Sequence, residues 1–355
     1  MELEIIKKSG ENTPHKLARP VYVATSLPRR STSPAPVQES VQRKIVPNDW
    51  YDQYGIRYTY KEENKVLMIC ASEVFPDSIV DYINSLPGNL GITIVLKVSS
   101  RKNEVAGFNV LCDTLSRSHL NKNIIISTED MRFGRGVSLD IERLPETVKI
   151  SNVMNYEGKE EGYYGENSLD WWGLNLSTED YMVFQRRLTP LAAQRAQELR
   201  TIAYSAYCKF KNLGIDKLTI NQRAKLIFDW CEGKFDEGRG RIAYDNESTM
   251  SDGSFNYDCR YSQDPIATFH RKKGVCAGRA RLLKVYLNNY FMRVPCYLVG
   301  GMAGRLQHEW NEVVDEQGRL TFYDLSHEGG IHNIQHDDFE LSKPYLPQCN
   351  RKEKA

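Results

Sequence analysis

The chain has 355 residues, enough for two typical domains and a sizeable hydrophobic core. Its 47 basic residues nearly balance its 46 acidic ones, so the positive field expected of a nucleic-acid-binding protein is missing. No run of 18 or more apolar residues is present, and the polar start MELEIIKKSGENT lacks the apolar segment of a secretory signal peptide. These features predict a soluble protein of cytosolic type without a membrane span, whose partner is not nucleic acid.

Residues 1–47 are rich in Pro, Ser, Thr and Arg, as in the run LPRRSTSPAP at 27–36, and offer few side chains for a core. We therefore predict a flexible leader over residues 1–47. Two interpretations of this leader stay open. It is either a plain linker or an unfolded export signal of the kind found in bacterial proteins that are injected into a host cell.

Residues 48–165 alternate short β-branched runs with helical patterns. Strands are predicted at 66–71, 92–98, 123–127, 137–141 and 148–153, and helices at 78–86 and 104–120. This alternation predicts βαβ units and a parallel sheet. The regular spacing also has a faint likeness to a leucine-rich-repeat solenoid. We therefore expect a smaller α/β domain, which is either repeat-like or a plain α/β domain. Because no group of catalytic residues is visible here, its expected role is accessory or in substrate recognition.

Residues 166–355 are predicted to form a second domain, so that the whole chain has an α+β fold. A stretch rich in Gly, Glu and aromatic residues at 157–172 marks the boundary. Helices are predicted at 178–213 and 219–233, and strands at 296–299, 308–314 and 320–325. The last two strands flank a turn-forming run, DEQG at 315–318, which predicts a hairpin.

Cys276 follows a Lys-Lys-Gly turn and precedes a helical pattern of apolar residues. At the start of a helix, unpaired amide groups favour a thiolate and can bind an oxyanion. Folding the predicted hairpin about residue 316 places His308 across from Asp324 to within one residue, so that the carboxylate orients the imidazole. Each residue alone has an ordinary structural explanation, but together they favour a Cys276, His308 and Asp324 triad.

These residues belong to a longer pattern: GVCAGRA (274–280), VP (294–295), GG (300–301), HEWNEV (308–313) and YD (323–324). The pattern resembles the transglutaminase-like superfamily of papain-fold enzymes, and IFDW (227–230) with Tyr244 resembles the family's lead-in helix and tyrosine. The resemblance covers about half of the chain. It implies that Cys276 is the nucleophile, His308 the general base and acid, and Asp324 the orienting residue. Glu309 and the Leu-Ser pair at 325–326 depart from the family pattern, which leaves the substrate open.

Other residues near the triad in sequence have less certain roles. Candidates for the oxyanion or substrate contacts are Asn256, Tyr257, Tyr261 and Trp310. Arg279 and Arg281 either contact an acidic patch of a substrate or are solvated surface residues, and solvation is the preferred interpretation. His270 is interpreted as structural. The group His327, His332, His336 and Asp337, with Cys349, fits no common ligand spacing, so we expect neither a metal nor another cofactor.

The resemblance implies acyl transfer from a protein amide through a thioester on Cys276. Attack by an amine gives transamidation of glutamine, attack by water gives deamidation, and a backbone amide would make the enzyme a cysteine peptidase. The alternative is a binding protein with a vestigial triad, and a redox sensor is disfavoured because no resolving cysteine lies nearby. The leader and extra domain resemble the build of bacterial effectors, so the expected partner is a host protein.

Overall fold

The computed structural model describes residues 58–61, 64–70, 75, 77–86, 91–97, 104–128, 141–153, 173–248, 256–303, 306–326 and 339–340. The predicted leader at 1–47 and the boundary stretch at 157–172 lie outside these ranges. The described part is a mixed fold of helices and sheets.

The strands are β1 (Tyr58–Lys61), β2 (Val66–Cys70), β3 (Ile92–Lys97), β4 (Ile124–Ser127), β5 (Val148–Ser151), β6 (Ala243–Tyr244), β7 (Lys273–Gly274), β8 (Cys296–Ala303), β9 (Leu306–Val314), β10 (Leu320–Tyr323) and β11 (Phe339–Glu340). The α-helices are α1 (Ser78–Ser85), α2 (Glu104–Ser116), α3 (Thr178–Arg186), α4 (Pro190–Lys211), α5 (Ile220–Cys231), α6 (Pro265–Arg271) and α7 (Cys276–Leu287). Among these helices, none is both long enough and apolar enough to cross a membrane.

The first sheet has the strand order β1-β2-β3-β4-β5. Strands β2 to β5 run parallel, each beside its predecessor in the chain, as the alternation of strands and helices predicts. The edge strand β1, antiparallel to β2, was not predicted. Of the strand predicted at 137–141, only Ile141 is described, and it begins a short 3-10 helix.

The core of this first unit lies between the sheet and its helices. Ile94, Ile126 and Ile150 pair in register across β3, β4 and β5. They are fully buried and share one core with Phe108 and Leu111 of α2. Burying a large aliphatic side chain contributes roughly 1.5–3 kcal/mol. Residues of α3 and the first turns of α4 belong to the same core, so this packing continues beyond residue 165.

The prediction of one helix at 178–213 is wrong, because two helices, α3 and α4, occupy this stretch. The break is at Pro190, which is the first residue of α4. Proline fits the first helical position because it needs no hydrogen-bonded N–H there, and it would disrupt a helix interior. At the break, the amide of Thr189 donates to the Ile150 carbonyl of β5 at 2.9 Å, which docks the start of α4 on the first sheet.

The second unit packs α4, α5 and α7 against an antiparallel sheet of order β10-β9-β8-β11. A capping box formed by Thr219 and Gln222 starts α5. Buried side chains such as Phe228, Tyr286 and Tyr323 fill the core. The Asn311 side-chain amide donates to the Ala280 carbonyl at 2.9 Å. Strand β9 is thereby tied to the helix that begins at Cys276.

Candidate active site

Cys276 is the first residue of α7, where the sequence predicts the start of a helix. Helix α6 ends at Lys272 in a left-handed conformation (φ 53°), and β7 then pairs with β6. Val275 is extended, and its amide donates to the Ser262 carbonyl at 3.1 Å. No described residue accepts a backbone hydrogen bond from the amides of Cys276 and Ala277. These N–H groups are therefore available to an oxyanion beside the sulfur.

A close contact at Gly278 fixes the first turn of α7 against the 3-10 segment Tyr257–Gln263. A Cβ at position 278 would overlap the Ser262 carbonyl oxygen and lie 2.6 Å from Thr268 Oγ1. Only glycine permits this approach without movement of the backbone at Ser262.

Asp245 binds residues of the segments that precede Cys276, and it was not identified from the sequence. Its carboxylate is fully buried, accepts a hydrogen bond from the Ser262 hydroxyl, and lies 2.9 Å from Arg271 Nη1 and 3.3 Å from Lys273 Nζ. Burial alone would raise the pKa of Asp245, but hydrogen bonds from Ser262, Arg271 and Ser248 outweigh it and lower the pKa to about 2. The segment that precedes Cys276 is thus held by a carboxylate that is charged at neutral pH.

His308 of β9 and Asp324, one residue beyond β10, form a hydrogen bond of 2.6 Å between Nε2 and Oδ2. Both side chains are buried, with 9% and 2% of their surfaces exposed. The other carboxylate oxygen of Asp324 accepts from the Ser326 amide at 2.8 Å. These contacts fix the orientation of the imidazole.

The register predicted for this hairpin is wrong by two residues, since Tyr323 pairs with Asn311 and Leu320 with Val314. Continued past the last pair, this register would place Asp324 beside Trp310 rather than beside His308. The turn is wider than predicted because the Asp315 carboxylate accepts from the amides of both Gln317 and Arg319. Asp324 therefore reaches His308 diagonally across the two strands, a distance that side chains of this length can span.

The imidazole of His308 has a second neighbour, the Cys276 thiol, whose interaction with the ring acts on the pKa of His308. With Nε2 occupied by Asp324, Nδ1 is the ring nitrogen available to the sulfur. Burial lowers the pKa of His308, but the hydrogen bonds and charges of Asp324 and Cys276 outweigh it and raise the pKa to about 10. At neutral pH the ring is therefore protonated.

Glu309 and Arg281 form a second link between the helix and strand of the triad. The guanidinium of Arg281 binds both carboxylate oxygens of Glu309 at 3.0 Å and also donates to the Gln263 carbonyl at 3.2 Å. Arg281 and Arg279 are each only 8% exposed, so the interpretation of these arginines as solvated is wrong. The departure from the family pattern at Glu309 thus supplies the partner of a buried arginine.

The four candidate oxyanion or substrate residues lie in different surroundings. Trp310 is buried on β9, and its ring stacks beside that of His308 with centroids 6.0 Å apart. The Tyr261 hydroxyl lies 3.5 Å from Cys259 Sγ, and Arg271 lies over its ring at 4.2 Å. Asn256 pairs through its backbone amide with the Ser248 carbonyl at 2.8 Å. The side chain of Tyr257 lies outside the described part. Of the other three, Trp310 reaches the triad through its ring contact with His308.

His270 lies apart from this arrangement. His270 binds Glu198 at 2.5 Å on the surface between α6 and α4, so it does have a carboxylate partner, although none was predicted. His327, His332, His336, Asp337 and Cys349 lie outside the described residues. Within the described ranges, no group of three or more His, Cys, Asp or Glu residues could hold a metal ion.

Comparison with known proteins identifies no relative: no family model, no curated protein and no solved structure matches this chain. The geometry around Cys276 therefore carries the functional argument.

Proposed function

We propose that the protein is a papain-like, transglutaminase-like thiol enzyme that transfers the acyl group of a protein glutamine amide through a thioester on Cys276. The observation that carries the proposal is the position of His308, whose ring hydrogen-bonds the Asp324 carboxylate and has the Cys276 thiol as its other neighbour. A nucleophile, a base and a residue that orients the base are thus joined in one chain of contacts.

In the first half of the reaction, the Cys276 sulfur, with its proton transferred to His308, attacks the amide carbon. The carbonyl oxygen becomes an oxyanion that the amides at the start of α7 can stabilise. The C–N bond then breaks, and His308 gives its proton to the departing ammonia. In the second half, an amine or water gives a proton to His308 and attacks the thioester, and the C–S bond breaks to release the product and the thiolate.

The test is mass spectrometry of host-cell lysate proteins after incubation with a labelled primary amine and the purified protein. The wild type is compared with Cys276→Ala, His308→Ala and the matched control Cys208→Ala, which removes a partly exposed thiol of α4. We expect label on glutamine with the wild type and with Cys208→Ala, and none with the other two variants.

Other products would redirect the assignment. Deamidated glutamines that depend on Cys276 would identify water as the acceptor, and new chain termini would identify a peptidase. Turnover that persists in Cys276→Ala or His308→Ala would exclude the proposed mechanism. No change in any protein would favour a binding protein with a vestigial triad.

Asp324→Asn tests the role of the carboxylate separately. An asparagine can hold the ring but cannot stabilise the imidazolium, so we expect a rate lower by about 10²–10⁴-fold rather than complete loss. The rate of label incorporation at fixed substrate concentration measures this effect. An unchanged rate would mean that Asp324 only supports the fold.

A further inference from the structure

Arg279 lies three residues after Cys276, in the first turn of α7. Only 8% of its surface is exposed. Its guanidinium carbon lies 6.0 Å from the centre of the Tyr244 ring. Among the charges around it, the Asp324 carboxylate exerts the strongest attraction. The Arg279 head group therefore lies beside the triad, on the side of β6.

The guanidinium of Arg279 has no hydrogen bond or ion pair with any described residue. Its Nε is enclosed and without an acceptor, whereas the two terminal nitrogens are not enclosed in this way. Three other arginines of this unit have carboxylate partners: Arg195 binds Asp264, Arg271 binds Asp245 and Arg281 binds Glu309. Arg279 differs from them because the N–H groups of its guanidinium have no acceptor among the described residues.

Leaving a largely buried cation without an acceptor is unfavourable, so such a group is best explained by a ligand that completes it. Arginine binds carboxylates in particular, because two parallel N–H groups match the two oxygens. The Asp324 oxygens accept from His308 and the Ser326 amide, and within the described part no hydrogen bond or ion pair joins Asp324 to Arg279.

We propose that Arg279 binds a carboxylate of the acyl donor next to the reacting amide, so that preferred donors carry either an acidic side chain or a free chain terminus there. The inference rests on the proposed function and specifies its substrate class. It makes Arg279 a specificity-determining residue, distinct from the three residues that perform the chemistry.

The test compares alkylation of Cys276 by iodoacetate, which carries a carboxylate, with alkylation by neutral iodoacetamide. Both rates are measured on the full-length wild type, Arg279→Met and the control Arg239→Met, whose side chain is 72% exposed in its pair with Glu237. Methionine preserves the apolar stem of Arg279. Arg279→Gln serves as a second neutral variant if Arg279→Met does not fold.

We expect the ratio of the iodoacetate rate to the iodoacetamide rate to fall about tenfold in Arg279→Met and to stay unchanged in Arg239→Met. An equal fall in both rates would overturn the proposal, because Arg279 would then act on the thiol itself. An unchanged ratio would also overturn it. If iodoacetamide alkylates the folded wild type no faster than the denatured protein, the result counts against the proposed function. If the ratio of the iodoacetate rate to the iodoacetamide rate nevertheless falls in Arg279→Met, carboxylate binding by Arg279 is still supported.

Protection of Cys276 from iodoacetamide by short peptides then identifies the source of the carboxylate. The probes are acetyl-Gln-Glu-amide, acetyl-Gln-Gly with a free carboxyl terminus, and neutral acetyl-Gln-Gly-amide. Stronger protection by the first peptide, lost in Arg279→Met, assigns an acidic side chain, and the same result with the second assigns a chain terminus. Equal protection by all three would contradict the proposal.

Discussion

At the scale of single residues, the Asp324 carboxylate decides how the His308 ring is used. One of its oxygens binds Nε2 and the other accepts the Ser326 amide, so neither oxygen can turn away without the loss of a buried hydrogen bond. The opposite edge of the ring then faces Cys276. The same contacts set the protonation of His308, which has a consequence for stability.

The stability of the protein should depend on pH through His308. Its pKa is about 10 in the folded chain and 6.5 for an ordinary histidine, so the folded state binds the proton more tightly. This contribution is fully present below pH 6.5 and is lost as the pH rises through about 10. We expect the wild type to exceed His308→Gln in free energy of unfolding by on the order of 3 kcal/mol at pH 6, and by much less at pH 10.5.

Urea unfolding of both proteins at pH 6, 8 and 10.5 measures this difference. The comparison with His308→Gln cancels the titration of the other groups to first order. A difference that stays constant across this range would show that His308 does not carry the proton in the folded state.

The roles of residues that lie within a recognisable local motif could be predicted from the sequence. The burial and contacts of residues whose partner lies far along the chain could not. Cys276 is marked by its glycine turn and the following helical pattern. The burial of Arg281 depends on Glu309, which lies on another element 28 positions along the chain. Asp245 and Ser262 are likewise joined only by the fold, and no spacing in the sequence connects them.

At the scale of elements, strand and helix types were predicted well, while breaks and registers were not. Apolar residues such as Leu188 and Leu191 continue the helical pattern through Pro190, so hydrophobic periodicity alone does not reveal the break. Proline at this point was the available signal. The hairpin register depends on the side chain of Asp315 inside the turn, which composition alone does not specify.

The contact between α7 and the 3-10 segment should not tolerate a side chain at position 278. In Gly278→Ala, the added methyl group would overlap the Ser262 carbonyl, which is backbone and cannot rotate away. We expect a loss of about 1–3 kcal/mol in free energy of unfolding and slower alkylation of Cys276 by iodoacetamide, because the start of α7 must shift.

Denaturant unfolding and alkylation rates measure these two effects. The matched control is Gly91→Ala, where the nearest atom to the new Cβ would be the Asn123 carbonyl oxygen at 3.9 Å. Its unfolding free energy should change by less than about 1 kcal/mol, and its alkylation rate should not change. Equal stability of Gly278→Ala and the wild type would refute this account of the contact.

At the scale of the whole molecule, α4 belongs to both hydrophobic cores. Ala192 and Ala196 near its start pack in the core of the parallel sheet, and Leu199, Ala203 and Phe210 pack in the core behind the triad. Its 22 residues form a rod of about 33 Å. Because one continuous helix serves both cores, loss of its structure should weaken both.

Thr201→Pro tests this coupling at an exposed position in the middle of α4. Proline removes the hydrogen bond from residue 201 to the Gln197 carbonyl and crowds that carbonyl, at a cost of about 3 kcal/mol or more. We expect faster hydrogen exchange in β4 of the first sheet as well as in β9 of the second, because both cores lose a packed helix face. Thr201→Ala, which loses only the two side-chain hydrogen bonds with Gln197, should leave exchange in both strands nearly unchanged. Faster exchange in β9 alone would mean that the parallel sheet holds its core without α4, and that the two units are stabilised independently.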